Sequence, residues 1–345
     1  MAITRRTATA LLLAGLATPV FAKAMAAKTT AVKVPTRGFA LPDWLAAEPR
    51  VPADAVLDAL RARGFETIRL PVDPALVTTD FAVNVAEALA MVTGKGFNAL
   101  LDLHPSGDVD ADQVDAAWGI LAGVIATTSP DQVYAELLNE PPLDPKQWAQ
   151  LAFRLIATIR AQAPDHKLIW GPARVQGIWE LADQTPPADP NVIASVHYYT
   201  PMGFTHQGEN WDQSPLTRLQ NLPFPTTRQS PEVAALAATL DAADLAFLNG
   251  EFAGPWTVEH IRNDFADLSK WAKRHKLPVM LGEFGVLNFA VDATSRANWI
   301  RAVREAAEGI GAGWVYWEAD QGFGFIADRQ STNGFDDTMI GALLA

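Results

Sequence analysis

The stretch VYAELLNEPP, residues 133–142, runs apolar at nearly every position and then stops on Asn139 and Glu140. A short unalternating apolar run suits a strand buried on both faces, as in a parallel sheet. Just downstream, Asp144-Pro145 is a helix-start signal, and Trp148, Leu151, Leu155 and Ile159 recur along one helical face. Pro164 closes that helix. The local unit is therefore strand, polar end, helix.

The same unit recurs along the chain. Strand-like runs fall at 36–40, 66–70, 98–103, 133–138, 167–170, 192–197, 278–282 and 313–317. Helical patterns lie between them, including stretches near 258–276 and 294–308. Eight strands alternating with helices in one domain of this length predict a (β/α)8 barrel over 27–345. The stretch 200–256 is too long for a plain connection. It holds an aromatic loop and an Ala-rich helix near 231–246, and long loops of this kind are often functional.

Polar and aromatic residues fall at the strand ends. Arg69 ends ETIRLPV, His104 ends NALLDLHP, and Asn139 with Glu140 ends VYAELLNEPP. Trp170 ends KLIWGP, His197 and Tyr199 end VIASVHYYTP, Glu283 ends PVMLGEFGV, and Trp317 ends GWVYWEAD. In a parallel barrel the C-terminal strand ends meet around one mouth, so these residues should converge. Two carboxylates there suit acetal hydrolysis: one protonates the leaving oxygen, and the other attacks the anomeric carbon or activates a water. A retaining mechanism predicts a separation of roughly 5 Å. Arg69 and the Tyr199 hydroxyl are expected to keep Glu283 ionised, while desolvation raises Glu140.

The motifs IRLPV (68–72), LLNEPP (137–142), HYYTP (197–201), MLGEFG (280–285) and WVYW (314–317) together resemble glycoside hydrolase family 5, the cellulase family of clan A, over about 38–340. The resemblance implies retaining hydrolysis of β-1,4-glucan on a (β/α)8 barrel, with Glu140 as acid/base and Glu283 as nucleophile. It also implies that Asn139 bonds the substrate 2-hydroxyl and that Arg69 and Tyr199 position the nucleophile. His104 and His197 would line the −1 subsite, with Trp317 as a platform beneath that sugar. The segment FTHQGENW (204–211) resembles the corresponding loop of bacterial members. Ser106 departs from the pattern, since many relatives carry a His or aromatic there.

Other residues compete for roles. Glu251 in LNGEFAGPW mimics Glu283 in MLGEFGV, but its preceding run is short, so it is expected on the long loop. Trp211 and Trp256 are candidate subsite faces in that loop, and Trp170 is balanced between core and subsite. Glu318 and Asp320 are expected at the rim or on substrate hydroxyls, and Asp102 as a structural group meeting a donor inside the barrel. Trp148, Trp271 and Trp299 read as core. A mannanase on the same machinery and a non-catalytic glucan-binding barrel are the competing functions.

Bulk properties fit this reading. Of 345 residues, 49% are hydrophobic and 19% charged, enough apolar material for a large core. A net charge of −12 argues against nucleic acid and anionic membranes. There is no cysteine, and the six histidines show no metal-binding spacing, so no metal or cofactor is expected. A Gly-rich phosphate loop is likewise missing. Eleven tryptophans suit sugar stacking as well as core packing. Arg5-Arg6, the apolar run Ala8 to Phe21 and small residues at Ala22 and Ala26 read as a secretory signal over 1–26. The expectation is an exported monomer, periplasmic or extracellular, acting on β-glucan.

Overall fold

The computed structural model describes residues 32–345, so the signal segment 1–26 and the boundary at residue 27 lie outside the described residues. Eight strands, β1 (Gly38–Ala40), β2 (Thr67–Val72), β3 (Asn98–Leu103), β4 (Val133–Glu136), β5 (Lys167–Trp170), β6 (Val192–His197), β7 (Val279–Glu283) and β8 (Gly313–Tyr316), pair in chain order into a closed barrel. All pairings are parallel, and β8 returns to β1. Nearly every strand residue is buried, which is why the strands read as unalternating apolar runs.

The helix Pro145–Arg160 shows how the outer layer is specified. Asp144 caps it by accepting the Lys146 and Gln147 N–H groups, and the Gln147 side chain accepts the Asp144 N–H. Trp148, Leu151, Leu155 and Ile159 are buried against the barrel wall. Each such burial contributes about 1.5–3 kcal/mol, so four of them fix which face turns inward. The expected single helix near 231–246 is instead two, Pro231–Ala237 and Ala242–Glu251, because Asp241 caps a second start by accepting the Ala243 and Asp244 N–H groups.

The barrel interior is layered. Leu100, Tyr134, Ile169, Ile193, Met280 and Val315 form one apolar cluster from six strands. Two residues further along, on the same strand face, stand Asp102, Glu136, Ser195 and Gly282. An apolar floor therefore carries a polar layer directly beneath the mouth. Gly282 has no room for a side chain, since a Cβ there would collide with Ser195 Oγ and come within 3.2 Å of His197 Nε2. A register shift at Val196/His197 sets His197 beside Glu283 rather than Gly282. Two placements differ from the sequence expectation. Arg69 is the third residue of β2, inside the barrel rather than at the strand's end. Glu140 stands beyond β4, on an irregular extension tied to the neighbouring strands by Leu137 N–H to Ile169 O and Asn139 N–H to Leu103 O.

Candidate active site

A cavity of about 580 Å³ opens at the C-terminal mouth. It is lined by His104, Asn139, Glu140, His197, Tyr199, Glu283 and Trp317, which the sequence places over more than two hundred positions. One oxygen each from Glu140 and Glu283, and a ring nitrogen of His197, lie within 4.8 Å of one another. Glu283 is almost fully buried, whereas about a third of the Glu140 side chain reaches solvent.

Glu283 is surrounded by positive charge and donors. Arg69 Nη1 donates to Oε1, and the Tyr199 hydroxyl donates to Oε2 at 3.0 Å. His197 Nδ1 is 3.6 Å from Oε2. Burial pushes the carboxyl up, but His197, Arg69 and His104 outweigh it and hold the pKa at about 2. Tyr199 moves the opposite way. Burial, then the Glu283 and Glu140 charges, raise its pKa well above the ordinary tyrosine value, so it remains a donor.

Arg69 is completely buried and reaches every other anion in the layer. It makes a two-point contact with Glu136 at 2.8 and 3.2 Å, and Nη2 also lies 2.9 Å from both Asp102 Oδ2 and Asn139 Oδ1. Burial opposes its charge, but Asp102, Glu136 and Glu283 raise its pKa well above normal. Burial also raises Glu136 against the pull of Arg69. Asp102 thus meets its donor inside the barrel, and it also bonds His104 Nδ1 at 2.9 Å.

Glu140 accepts from His197 Nδ1 at 2.8 Å. Its backbone is left-handed, with φ 38°, an uncommon conformation for a residue with a side chain. Burial lowers the His197 pKa, but the Glu283 and Glu140 charges raise it overall. Trp317 stacks on His104 at 5.3 Å between ring centres and sits 5.8 Å from the Arg69 guanidinium. Among the described residues, Glu140, His197 and Glu283 are the trio spaced to hold a metal ion. The Arg69 guanidinium already on Glu283 supplies the positive charge a cation would bring.

The aromatic candidates separate. Trp211 is 58% exposed and lines the cleft. Trp256 is 2% exposed, stacks on Phe252 and donates to Glu251 O, so it is core rather than a sugar face. Trp170 is also 2% exposed and packs in the core off the cleft, because as the last residue of β5 it faces the outer helices. Glu318 borders the cleft, but its oxygens accept N–H groups from Asp320, Gln321 and Phe323 and are therefore committed to that turn. Asp320 is buried in an ion pair with Arg329 and Arg50 rather than at the rim. Glu251 ends the helix Ala242–Glu251 and accepts the Gly203 N–H, away from Glu283.

Other groups had no sequence signal strong enough to find them. Trp179, also 58% exposed, lines the cleft from the β5 loop, a Trp inside no motif. His206 lies in the FTHQGENW segment and faces Tyr199 at 5.2 Å, and burial drives its pKa to about 4, so it stays neutral. Glu136 sits in a strand that reads as apolar, and Gln176 in a loop without a pattern.

The "Cellulase (glycosyl hydrolase family 5)" profile matches residues 25–322. The chain belongs to the cellulase family, glycosyl hydrolase family 5. Among curated relatives in this family neighbourhood, it is similar to Endoglucanase 3 of Fibrobacter succinogenes, with 27% identity over 64% of this chain and 35% of that one. It is also similar to Endoglucanase H of Acetivibrio thermocellus, with 22% identity over 83% of this chain and 29% of that one. The chain thus spans about a third of the length of these two relatives. Its fold matches the crystal structure of cellulose synthase subunit Z from Clostridioides difficile, with TM-score 0.73 and 24% identity over 89% of this chain and 99% of that one.

Proposed function

We propose that this family 5 protein is a retaining endo-β-1,4-glucanase, with Glu140 as acid/base and Glu283 as nucleophile. The observation that carries the reading is the unequal pair of carboxylates in one cleft. Their oxygens approach within 4.8 Å, close to the roughly 5 Å spacing of retaining enzymes and short of the roughly 6.5–9.5 Å that inverting enzymes keep. Glu283 is held ionised at about 2 by His197 and Arg69 against its burial, as an attacking group requires. Glu140 reaches solvent and is free to exchange a proton with the leaving oxygen and then with water. In the first step Glu283 attacks the anomeric carbon while Glu140 gives its proton to the departing oxygen. In the second, Glu140 takes a proton from water, which attacks the same carbon and frees Glu283. Trp317 offers an apolar face at the bond being broken, and the exposed Trp179 and Trp211 offer further faces along the cleft.

The names of the relatives support the glucan substrate. The test is hydrolysis of soluble carboxymethylcellulose followed by proton NMR and product sizing. The β-anomer should form first, with a fast fall in chain length. An α-anomer first would reject retention, slow release of small sugars alone would reject endo action, and cleavage of mannan alone would reject the glucan assignment.

A further inference from the structure

Gln176 closes a ring of hydrogen bonds around the acid/base. It is fully buried, and its own backbone is left-handed, with φ 51°. Its side-chain Oε1 accepts the backbone N–H of Glu140 at 2.5 Å. Its backbone carbonyl accepts the N–H of His197 at 2.8 Å. The His197 ring then donates from Nδ1 to Glu140 Oε1 at 2.8 Å. The circuit therefore runs from the Glu140 amide through Gln176 to His197 and back to the Glu140 carboxylate.

The orientation of the amide is fixed by chemistry. A backbone N–H only donates, so the group facing it must be oxygen. That leaves Gln176 Nε2 buried with no partner among the described residues, an arrangement that costs free energy. The loop also gives up space for it. A side chain at Gly171 would overlap the Gln176 amide.

Glu140 needs such a clamp. It stands beyond β4 in a left-handed conformation that surrounding structure must hold. The Asn139 N–H reaches Leu103 O upstream, and the Arg174 N–H reaches Pro141 O downstream. The bond to the Glu140 amide itself comes from Gln176. General-acid transfer depends on placing the proton within hydrogen-bond reach of the leaving oxygen. We infer that Gln176 is a positioning residue for the acid/base: by holding the Glu140 main chain and His197 together, it aims the Glu140 carboxyl at the leaving group without touching substrate.

This inference rests on the glycosidase reading, and its test separates the two. Gln176→Asn tolerates a left-handed backbone and keeps the carbonyl bond to His197, but its side chain is one methylene too short to reach the Glu140 N–H. Gln176→Glu keeps an acceptor at the same distance. Rates are compared on two aryl β-cellobiosides, one with a dinitrophenol leaving group that departs without a proton and one with phenol, which needs it. For Gln176→Asn, kcat/KM on the phenyl substrate should fall at least about 10-fold, within the range general-acid catalysis supplies, while the dinitrophenyl substrate is nearly unchanged. Gln176→Glu should restore most of the phenyl rate. Equal losses on both substrates, no loss on either, or a Gln176→Glu variant as impaired as Gln176→Asn would each overturn the positioning role. Hydrogen exchange at the Glu140 amide gives a readout that needs no activity. It should be slow in the native protein and in Gln176→Glu, and fast in Gln176→Asn. If the native protein cleaves neither substrate, the glycosidase reading fails, and exchange equally slow in all three proteins would still refute the clamp.

Discussion

The side-chain nitrogen of Asn139 meets His104 Nε2 at 3.2 Å. Arg69 sets this orientation, because its Nη2 donates to Asn139 Oδ1 and leaves the amide N–H₂ turned toward His104. Nε2 must then present its lone pair, and the proton sits on Nδ1, donated to Asp102 at 2.9 Å. Burial lowers the His104 pKa, but the Asp102 hydrogen bond raises it overall. A second proton can land only on Nε2, so the Asn139 contact is present above that raised pKa and lost as pH falls through it. Asn139→Asp puts an oxygen opposite Nε2 and removes the conflict. The His104 titration, followed by imidazole 15N NMR, should move upward by about one unit or more, since a charge-assisted hydrogen bond contributes about 1.5–3 kcal/mol. The same titration midpoint in both proteins would refute the assigned tautomer.

Arg69 binds Asp102, Glu136 and Glu283 at once, all of them almost fully buried. Arg69→Met therefore leaves three carboxylates without their cation. Denaturant unfolding at pH 7 should show a loss of about 3–5 kcal/mol, the usual effect of breaking a buried pair. The sign of the pH dependence follows. Unpaired buried carboxyls have folded pKa values above their unfolded ones, so the folded variant takes up protons more readily. Its deficit should shrink at pH 4 relative to pH 7, and a deficit that grows at pH 4 would refute the account.

The barrel was legible because strands buried on both faces read as plain apolar runs, most of them closed by a polar or aromatic group. Side-chain direction was harder to read. Trp170 ends β5 much as Trp317 follows β8, yet one faces the helices and the other the cleft, since a step of one residue along a strand reverses the face. Arg69 read as a strand terminus, although β2 continues pairing through Val72 with Leu103. Gln176 and Trp179 left no signal. Their positions come from left-handed turns at Arg174 and Gln176, which follow no periodicity.

The two Gly-Glu-Phe triplets make opposite predictions. Glu283 is aligned by Arg69 and Tyr199, whereas Glu251 caps the Gly203 amide beside Trp256. Glu283→Gln should lower kcat on carboxymethylcellulose by at least about 10³-fold, as loss of a nucleophile does. Glu251→Gln should stay within about threefold, with any cost appearing as reduced thermal stability from the weakened N–H contact. Comparable losses in both variants would reject Glu283 as nucleophile.

Trp179 and Trp211 share an exposure of 58% on the cleft wall, while Trp170 is buried. An exposed indole has apolar area to give to a sugar ring, and a buried one does not. Replacing Trp179 or Trp211 with Ala should raise KM for long cello-oligosaccharides about fivefold, the effect of roughly 1 kcal/mol of aromatic contact, with the melting temperature little changed. Trp170→Ala should do the reverse, costing about 3–5 kcal/mol of stability through the cavity it leaves. A Trp170 variant with native stability and a raised KM would return that residue to the subsites.

Tyr199 donates to Glu283 Oε2 at 3.0 Å and stays protonated because burial and the Glu283 charge raise its pKa. His197, Arg69 and His104 hold the Glu283 pKa at about 2 against its burial, and a donor on the carboxylate acts in the same direction. A depressed carboxyl contributes stability that is present above the unfolded value and is lost as pH falls through the folded one. On the proposed mechanism the same ionisation governs activity, since only the carboxylate attacks. Tyr199→Phe removes the donor without changing the ring packed against His206. Glu283 should then rise by about 1–2 units, because a hydrogen bond to a charged group contributes about 1.5–3 kcal/mol. The acid limb of kcat/KM should move to higher pH by that amount. An acid limb that stays in place would refute the role of Tyr199 in keeping Glu283 ionised.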